Sequence, residues 1–169
     1  VGACSKRGMS ENSALVKGVN RAWDAGLVVV VAAGNNGPRT MSITTPGISR
    51  KVITVGCSDD DREVLVGGNR MVDYSGRGPT AACICKPDLV APGCSVVSCS
   101  SRADKYTIKS GTSMSTPIVS GAVALLLERF PDMSNKDVKL RLRESSVDIG
   151  LPRNQQGWGL LDVGKMIGK

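Results

Sequence analysis

A continuous apolar run, Leu27-Val28-Val29-Val30-Val31-Ala32-Ala33, stops at Gly34-Asn35-Asn36-Gly37-Pro38, and no other feature constrains the fold of this chain as strongly. Strands with one solvated face alternate apolar and polar residues. A continuous β-branched run suits a strand buried on both faces, as in a parallel sheet covered by helices. The Gly, Asn and Pro residues that follow end the strand at a fixed point. Val52-Ile53-Thr54-Val55-Gly56-Cys57 reads as a second strand of this kind, and Leu89-Val90-Ala91 and Ser95 to Cys99 as shorter ones. Helical patterns lie between and after them. Leu15, Val19, Ala22 and Trp23 recur at helical spacing within Ser10 to Ala25, with Ser10 placed to cap the start and Gly26 to stop it. The stretch from Thr112 or Ser113 to Phe130 is apolar on most sides, which predicts a helix buried in the core. Ser134-Asn135-Lys136-Asp137 is a capping-box pattern that starts a last helix through about Glu144. Strands alternating with helices predict an α/β fold with a mostly parallel central sheet. Val1-Gly2-Ala3-Cys4 adds a strand-like stub, and no repeat or linker divides the chain.

Composition narrows the function classes. The 169 residues are 41% hydrophobic and 22% charged, which is globular composition. Aromatic residues make up only 3%, so Val, Leu, Ile and Ala must build the core. The net charge of +7 comes from scattered Lys and Arg, with too few aromatics to stack on bases, so nucleic acid is not an expected partner. No apolar stretch is long enough to span a membrane. The six cysteines at 4, 57, 83, 85, 94 and 99 lie in or beside strand-like stretches. Cys83-Ile84-Cys85 lacks a second pair at zinc spacing. The cysteines therefore read as reduced and mostly buried, which leans towards an intracellular, bacterial-cytoplasmic setting. Asp59-Asp60-Asp61 reads as a solvated turn rather than a metal site.

Two residues stand where chemistry is expected. Asn35 ends a buried strand, the position at which open α/β sheets form their ligand crevices. Ser113 lies in the first turn of a buried helix, where unpaired N–H groups and the positive end of the dipole favour an anion. Each has an ordinary structural explanation too, since Gly-Asn-Asn-Gly is a common turn and Gly-Thr-Ser a common helix start. The chain contains no histidine, and a serine hydroxyl needs an adjacent base to act as a nucleophile at neutral pH.

Four stretches, taken in order, decide between these readings. They are Val29 to Gly34 with Asn35; Asp88-Leu89-Val90-Ala91-Pro92-Gly93; Gly111-Thr112-Ser113-Met114-Ser115-Thr116-Pro117; and Gly157-Trp158-Gly159-Leu160-Leu161-Asp162. In order and spacing they resemble the subtilisin-like serine proteases over nearly the whole chain. The resemblance implies a three-layer fold and serine endopeptidase chemistry. Ser113 would be the nucleophile, and the Asn35 amide with the Ser113 backbone N–H would form the oxyanion hole. Ala32, Ala33 and Gly34 would line the pocket for the residue before the scissile bond. Ser5, Lys6 and Arg7, with Gly8, would pair with extended substrate as an added strand. Thr45-Pro46 falls where that family has a cis bond.

Departures matter equally. Lys6 and Arg7 replace an apolar residue and a glycine of the family's substrate-binding segment, and Ile118 stands where many members carry a non-catalytic histidine. The family's catalytic Asp and His lie upstream of every residue seen here. The chain is therefore expected to be the C-terminal portion, residues 1–169, of one peptidase domain whose N-terminal part is absent. Such a portion would be inert alone. Its partners would be a polypeptide substrate, its own N-terminal segment carrying Asp and His, and, through an exposed sheet edge, a second copy of itself. Calcium supports many family members, but no ligand cluster is evident, and no cofactor is expected. The competing readings are a non-catalytic subtilisin-like binding module and the serine-carboxyl branch, whose Asp oxyanion partner Asn35 argues against. A Ser–Lys arrangement with Lys86 or Lys109 has no spacing to support it.

Overall fold

The computed structural model describes residues 11–101 and 105–168. Val1 to Cys4, the Ser5-Lys6-Arg7-Gly8 segment and Ser10 lie outside the described residues. The described elements are α1 (Ala14–Asp24), β1 (Val30–Ala32), β2 (Ile53–Cys57), β3 (Val64–Val66), β4 (Asn69–Met71), β5 (Leu89–Ala91), β6 (Val96–Cys99), β7 (Tyr106–Lys109), α2 (Thr112–Arg129), α3 (Asn135–Ser145), α4 (Arg153–Gln156) and α5 (Val163–Ile167). The expected α/β architecture is present. A three-stranded parallel sheet in the order β1-β2-β5 forms its centre. Every residue of β2 and β5 is buried, as continuous apolar runs require.

Packing follows the pleat. Ile53, Val55, Leu89 and Ala91 join Val119, Ala122, Val123 and Leu126 of α2 and Trp23 of α1 in the main core. On the other side Val16 of α1 meets Ala33, Ile43 and Ile48. The outer edge of β5 is closed by the C-terminal segment, where the Val90 N–H donates to Gly159 O and the Leu161 N–H to Val90 O. No strand among the described residues pairs with the outer edge of β1.

Several expectations are corrected. The cap of α1 is Ser13, whose hydroxyl accepts from the Val16 N–H, and Val16 is buried where Leu15 was expected. The first strand is shorter than its apolar run, and Leu27 is 60% exposed because that part of the chain is still leaving α1. The helix α2 is covered on one face only. Leu125 is 50% exposed, and Pro117, Ser120, Gly121 and Ala124 share its open side. The capping box of α3 is as expected, with Ser134 and Asp137 exchanging hydrogen bonds. It is not the last helix, because two short ones follow. The β3–β4 hairpin and β7 have patterns too short and polar for periodicity to reveal.

Asp59 and Asp60 are not merely solvated. Asp59 Oδ1 accepts the N–H groups of Gly93 and Cys94 at 2.7 and 3.1 Å, and buried Asp60 accepts the Ser75 N–H at 2.7 Å. The cysteines also differ from expectation. Among the described residues five are free; Cys57 is buried, Cys94 half-buried, and Cys83, Cys85 and Cys99 are exposed.

Beneath the sheet lies an ionic cluster. The Lys86 ammonium, 1% exposed, donates to Asp88 Oδ2 at 2.5 Å and to Val52 O at 3.0 Å. Asp88 Oδ2 also takes the Thr54 N–H at 2.7 Å, which ties β2 to β5. Lys139 of α3 stands 3.5 Å from Asp88 Oδ1 and donates to the carbonyls of Arg50, Lys51 and Val52. Burial pulls Lys86 down from 10.5 to about 8, with Asp88 opposing the fall. Between those values the unfolded chain holds the proton that the folded chain has released, so stability should rise with pH across this window. The stability difference between the parent and Lys86→Met in thermal unfolding should grow in the parent's favour from pH 8 to 10.5, because the opposing linkage of buried Cys57 above pH 9 is common to both. An identical slope in the variant would contradict this assignment.

Candidate active site

The carboxyl end of β1 and the amino end of α2 meet. Beyond Ala32 the chain is pinned from several directions: the Ala33 N–H donates to Val55 O, the Thr44 N–H to Ala33 O, and the Gly76 N–H to Gly34 O, each at 2.8 Å. Ala32 and Ala33 are buried and Gly34 half-buried. The Thr44 side chain fills the space under Gly34, since a β-carbon there would come within 2.4 Å of it. The Thr45–Pro46 bond that follows is cis.

Asn35 is half-buried and faces the first residues of α2. Its Oδ1 accepts the Thr112 N–H at 3.0 Å and the Thr112 hydroxyl at 2.9 Å, while the Gly34 N–H donates to Thr112 Oγ1 at 3.2 Å. A backbone N–H needs an oxygen opposite it, so this contact fixes which way the amide faces. Both lone pairs of Oδ1 are thereby occupied, and Nδ2 has no acceptor among the described residues. Thr112, fully buried, is the signal that sequence reading passed over. Gly111 completes the junction. Its φ is +136°, and a β-carbon there would come within 3.2 Å of Asn35 Nδ2. Only glycine brings the helix start this close to the amide.

Ser113 is exposed one residue further on, and no side chain caps the helix at Gly111. The Ser113 N–H is among the first-turn amides that lack an intrahelical acceptor. The structure thus brings Asn35, Ser113 and the end of the Ala32-Ala33-Gly34 strand to one place. Ser5, Lys6 and Arg7 lie outside the described residues. Lys86 is committed to Asp88 and Val52, which leaves it no role as a base for Ser113. Among the described residues no group of three or more potential metal ligands occurs, and no helix is long and apolar enough to cross a membrane.

A parallel sheet packed against helices, with an exposed helix-start serine beside an oriented amide, places the chain in the α/β class. The chain belongs to the Subtilase family, peptidase S8, whose family model matches residues 2–159. It is 42% identical over 145 residues to the serine protease AprX of Bacillus subtilis strain 168, covering 78% of this chain and 33% of AprX. It is 35% identical over 158 residues to subtilisin DY of Bacillus licheniformis, covering 92% of this chain and 52% of that protein. Among solved structures the prenylagaramide maturation protease PagA shares the fold, with a TM-score of 0.74 at 22% identity over 98% of this chain and 58% of PagA. The chain thus spans about a third of AprX and about half of subtilisin DY.

Proposed function

We propose that this chain is the C-terminal portion, residues 1–169, of a single subtilisin-like peptidase domain, and that it supplies the nucleophile and oxyanion hole of a serine endopeptidase. Ser113 attacks the peptide carbonyl and forms an acyl-enzyme. Asn35 Nδ2 and the Ser113 N–H donate to the tetrahedral oxygen. Ala32, Ala33 and Gly34 line the pocket before the scissile bond, and Ser5, Lys6 and Arg7 pair with substrate backbone. The observation that carries this reading is the Thr112–Asn35 contact, because it turns the amide's donor outward before any substrate arrives.

The base and its orienting carboxylate come from an upstream segment, since this chain has no histidine. Among the described residues, the uncovered face of α2 and a groove of about 470 Å³ beside Leu125, Glu128, Arg129 and Ile167 support such a segment as cover, as does a β1 edge that no described strand pairs. A second copy would cover the same edge. The chemistry calls for no cofactor. The free thiols accord with a reducing intracellular compartment.

An active-site-directed fluorophosphonate tests the reading. It should label Ser113 in a protein that joins this chain to an upstream segment bearing Asp and His, and leave the isolated chain unlabelled. In the joined protein Asn35→Leu should lower kcat by about 10² to 10³ with KM little changed, a range taken from subtilisin itself rather than from this chain. The absence of histidine also favours a non-catalytic binding module. An unlabelled joined protein that still binds polypeptide would establish that alternative.

A further inference from the structure

The protease reading leaves one pair of nucleophilic groups unused. Of the five described cysteines, Cys57 is sealed in, with its sulfur 3.1 Å from Asp59 Oδ1 and 3.2 Å from the Tyr74 hydroxyl. Burial pushes its thiol up to about 12, so it is unreactive near neutral pH. Cys83 and Cys85 are the opposite case. Both are exposed, with only Ile84 between them, on a loop whose base is closed by the Gly78 N–H donating to Lys86 O at 2.9 Å.

The backbone bends sharply at this pair. The Cys83 N–H donates to Thr80 O and the Thr80 N–H to Ile84 O, both at 2.9 Å, and Cys83 itself has φ +55°. Two residues of fully extended chain span at most about 7 Å, and a disulfide accepts Cα separations up to about 6.8 Å. With only Ile84 between them, the two cysteines are kept close to bonding range by chain length alone, and rotation at Ile84 closes the remainder. The surroundings also favour exchange. Arg50 Nη2 donates to Ala82 O at 3.4 Å, which holds a guanidinium at the residue before Cys83, where it attracts anionic thiol reagents. Against these stands one weak restraint, the Cys85 S–H donating to Arg153 O at 3.6 Å.

We propose that Cys83-Ile84-Cys85 is a thiol-modification site, a surface dithiol that closes reversibly into an intramolecular disulfide by exchange with a small anionic disulfide of the glutathione type. One cysteine thiolate attacks a sulfur of the reagent, its S–S bond breaks, and one glutathione leaves as a thiolate that takes up a proton. The second cysteine, as thiolate, attacks the mixed disulfide at the cysteine sulfur and expels the other glutathione. The two cysteines lose two electrons and two protons in total, and one glutathione disulfide becomes two glutathiones. The ring is small and exposed, which places it with labile, readily reduced disulfides rather than structural ones. Closure withdraws the Cys85 S–H from Arg153 O and so removes that tie between the loop tip and α4. None of this depends on Ser113 or on an upstream segment.

The test uses the full chain with Cys94→Ser and Cys99→Ser, so that Cys83 and Cys85 are the exposed thiols among the described residues. After incubation with glutathione disulfide and alkylation of remaining thiols, the peptide beginning after Arg77 is weighed. The expected product is two hydrogens lighter than the reduced peptide, carries no glutathione, and reverts with dithiothreitol. Cys83→Ser and Cys85→Ser should each retain one glutathione, at least about tenfold more than the intact pair, because the intramolecular step is missing. An intact pair that keeps glutathione at either residue, cross-links to another chain or stays fully alkylatable would overturn the proposal. Unchanged far-UV circular dichroism in the single variants guards against misfolding as the cause.

Discussion

In a protein joining this chain to an upstream segment that carries Asp and His, Ser113→Ala is expected to lower peptide hydrolysis by about a millionfold, the loss recorded for subtilisin itself. The size of the effect follows from what remains. Without the hydroxyl no acyl-enzyme can form, and the oriented Asn35 amide can only stabilise direct attack by water. That residual, together with substrate binding, amounts to roughly 10³ to 10⁴ over the uncatalysed rate. The variant should still bind peptide, because the Ala32-Ala33-Gly34 strand end is pinned by Val55, Thr44 and Gly76 and not by Ser113. Steady-state kinetics with a burst assay would show KM near its original value and no acyl burst. Activity within tenfold of the parent would mean that a different residue is the nucleophile.

The largest stability effect is expected at Asp88. Asp88→Ala removes the carboxylate that faces Lys86 and Lys139 and accepts the Thr54 N–H, and so strands two cations and a backbone donor beneath the sheet. Breaking a buried ion pair from one side costs about 3–5 kcal/mol, a large share of the 5–15 kcal/mol that holds a typical domain together. Replacing both Lys86 and Asp88 by apolar residues of similar volume should cost much less, because no charge is then left unpaired. Urea unfolding of the single and double variants distinguishes the cases. A single variant within about 1 kcal/mol of the parent would show that the cluster is solvated in a way its burial denies.

Much of the fold was legible before any coordinates. The α3 capping box appears at the residues that spell it, because Ser134 and Asp137 satisfy one another's backbone within a single turn. Likewise β2 and β5 appear where continuous apolar runs require strands covered on both faces. Leu15 and Leu27 were misread for one reason: apolar character was clear, but which side would face the core depended on elements distant in sequence. The exposure of Leu125 has the same origin. The all-round apolar pattern of α2 describes a helix with neighbours on every side, whereas the described residues cover only one. Cysteines near strands were read as buried, yet Cys83 and Cys85 project from a turn that Thr80 and Cys83 create through local hydrogen bonds.

By itself the sequence determined an α/β chain with parallel strands, a helix starting at Thr112 or Ser113, and the resemblance that singled out Ser113 and Asn35. These rest on short-range periodicity and on local motifs, which survive in any context that buries an apolar run. The tertiary structure alone decided that Thr112, some 77 positions from Asn35, orients its amide. It alone decided that Lys86 and Lys139 converge on Asp88, and that Cys83 and Cys85 stand outside the core. Each of these depends on which groups meet across the sheet, and residue order carries no local signal for that. The serine without a histidine was visible in the chain; the Thr112 contact that orients the Asn35 amide became visible only in three dimensions.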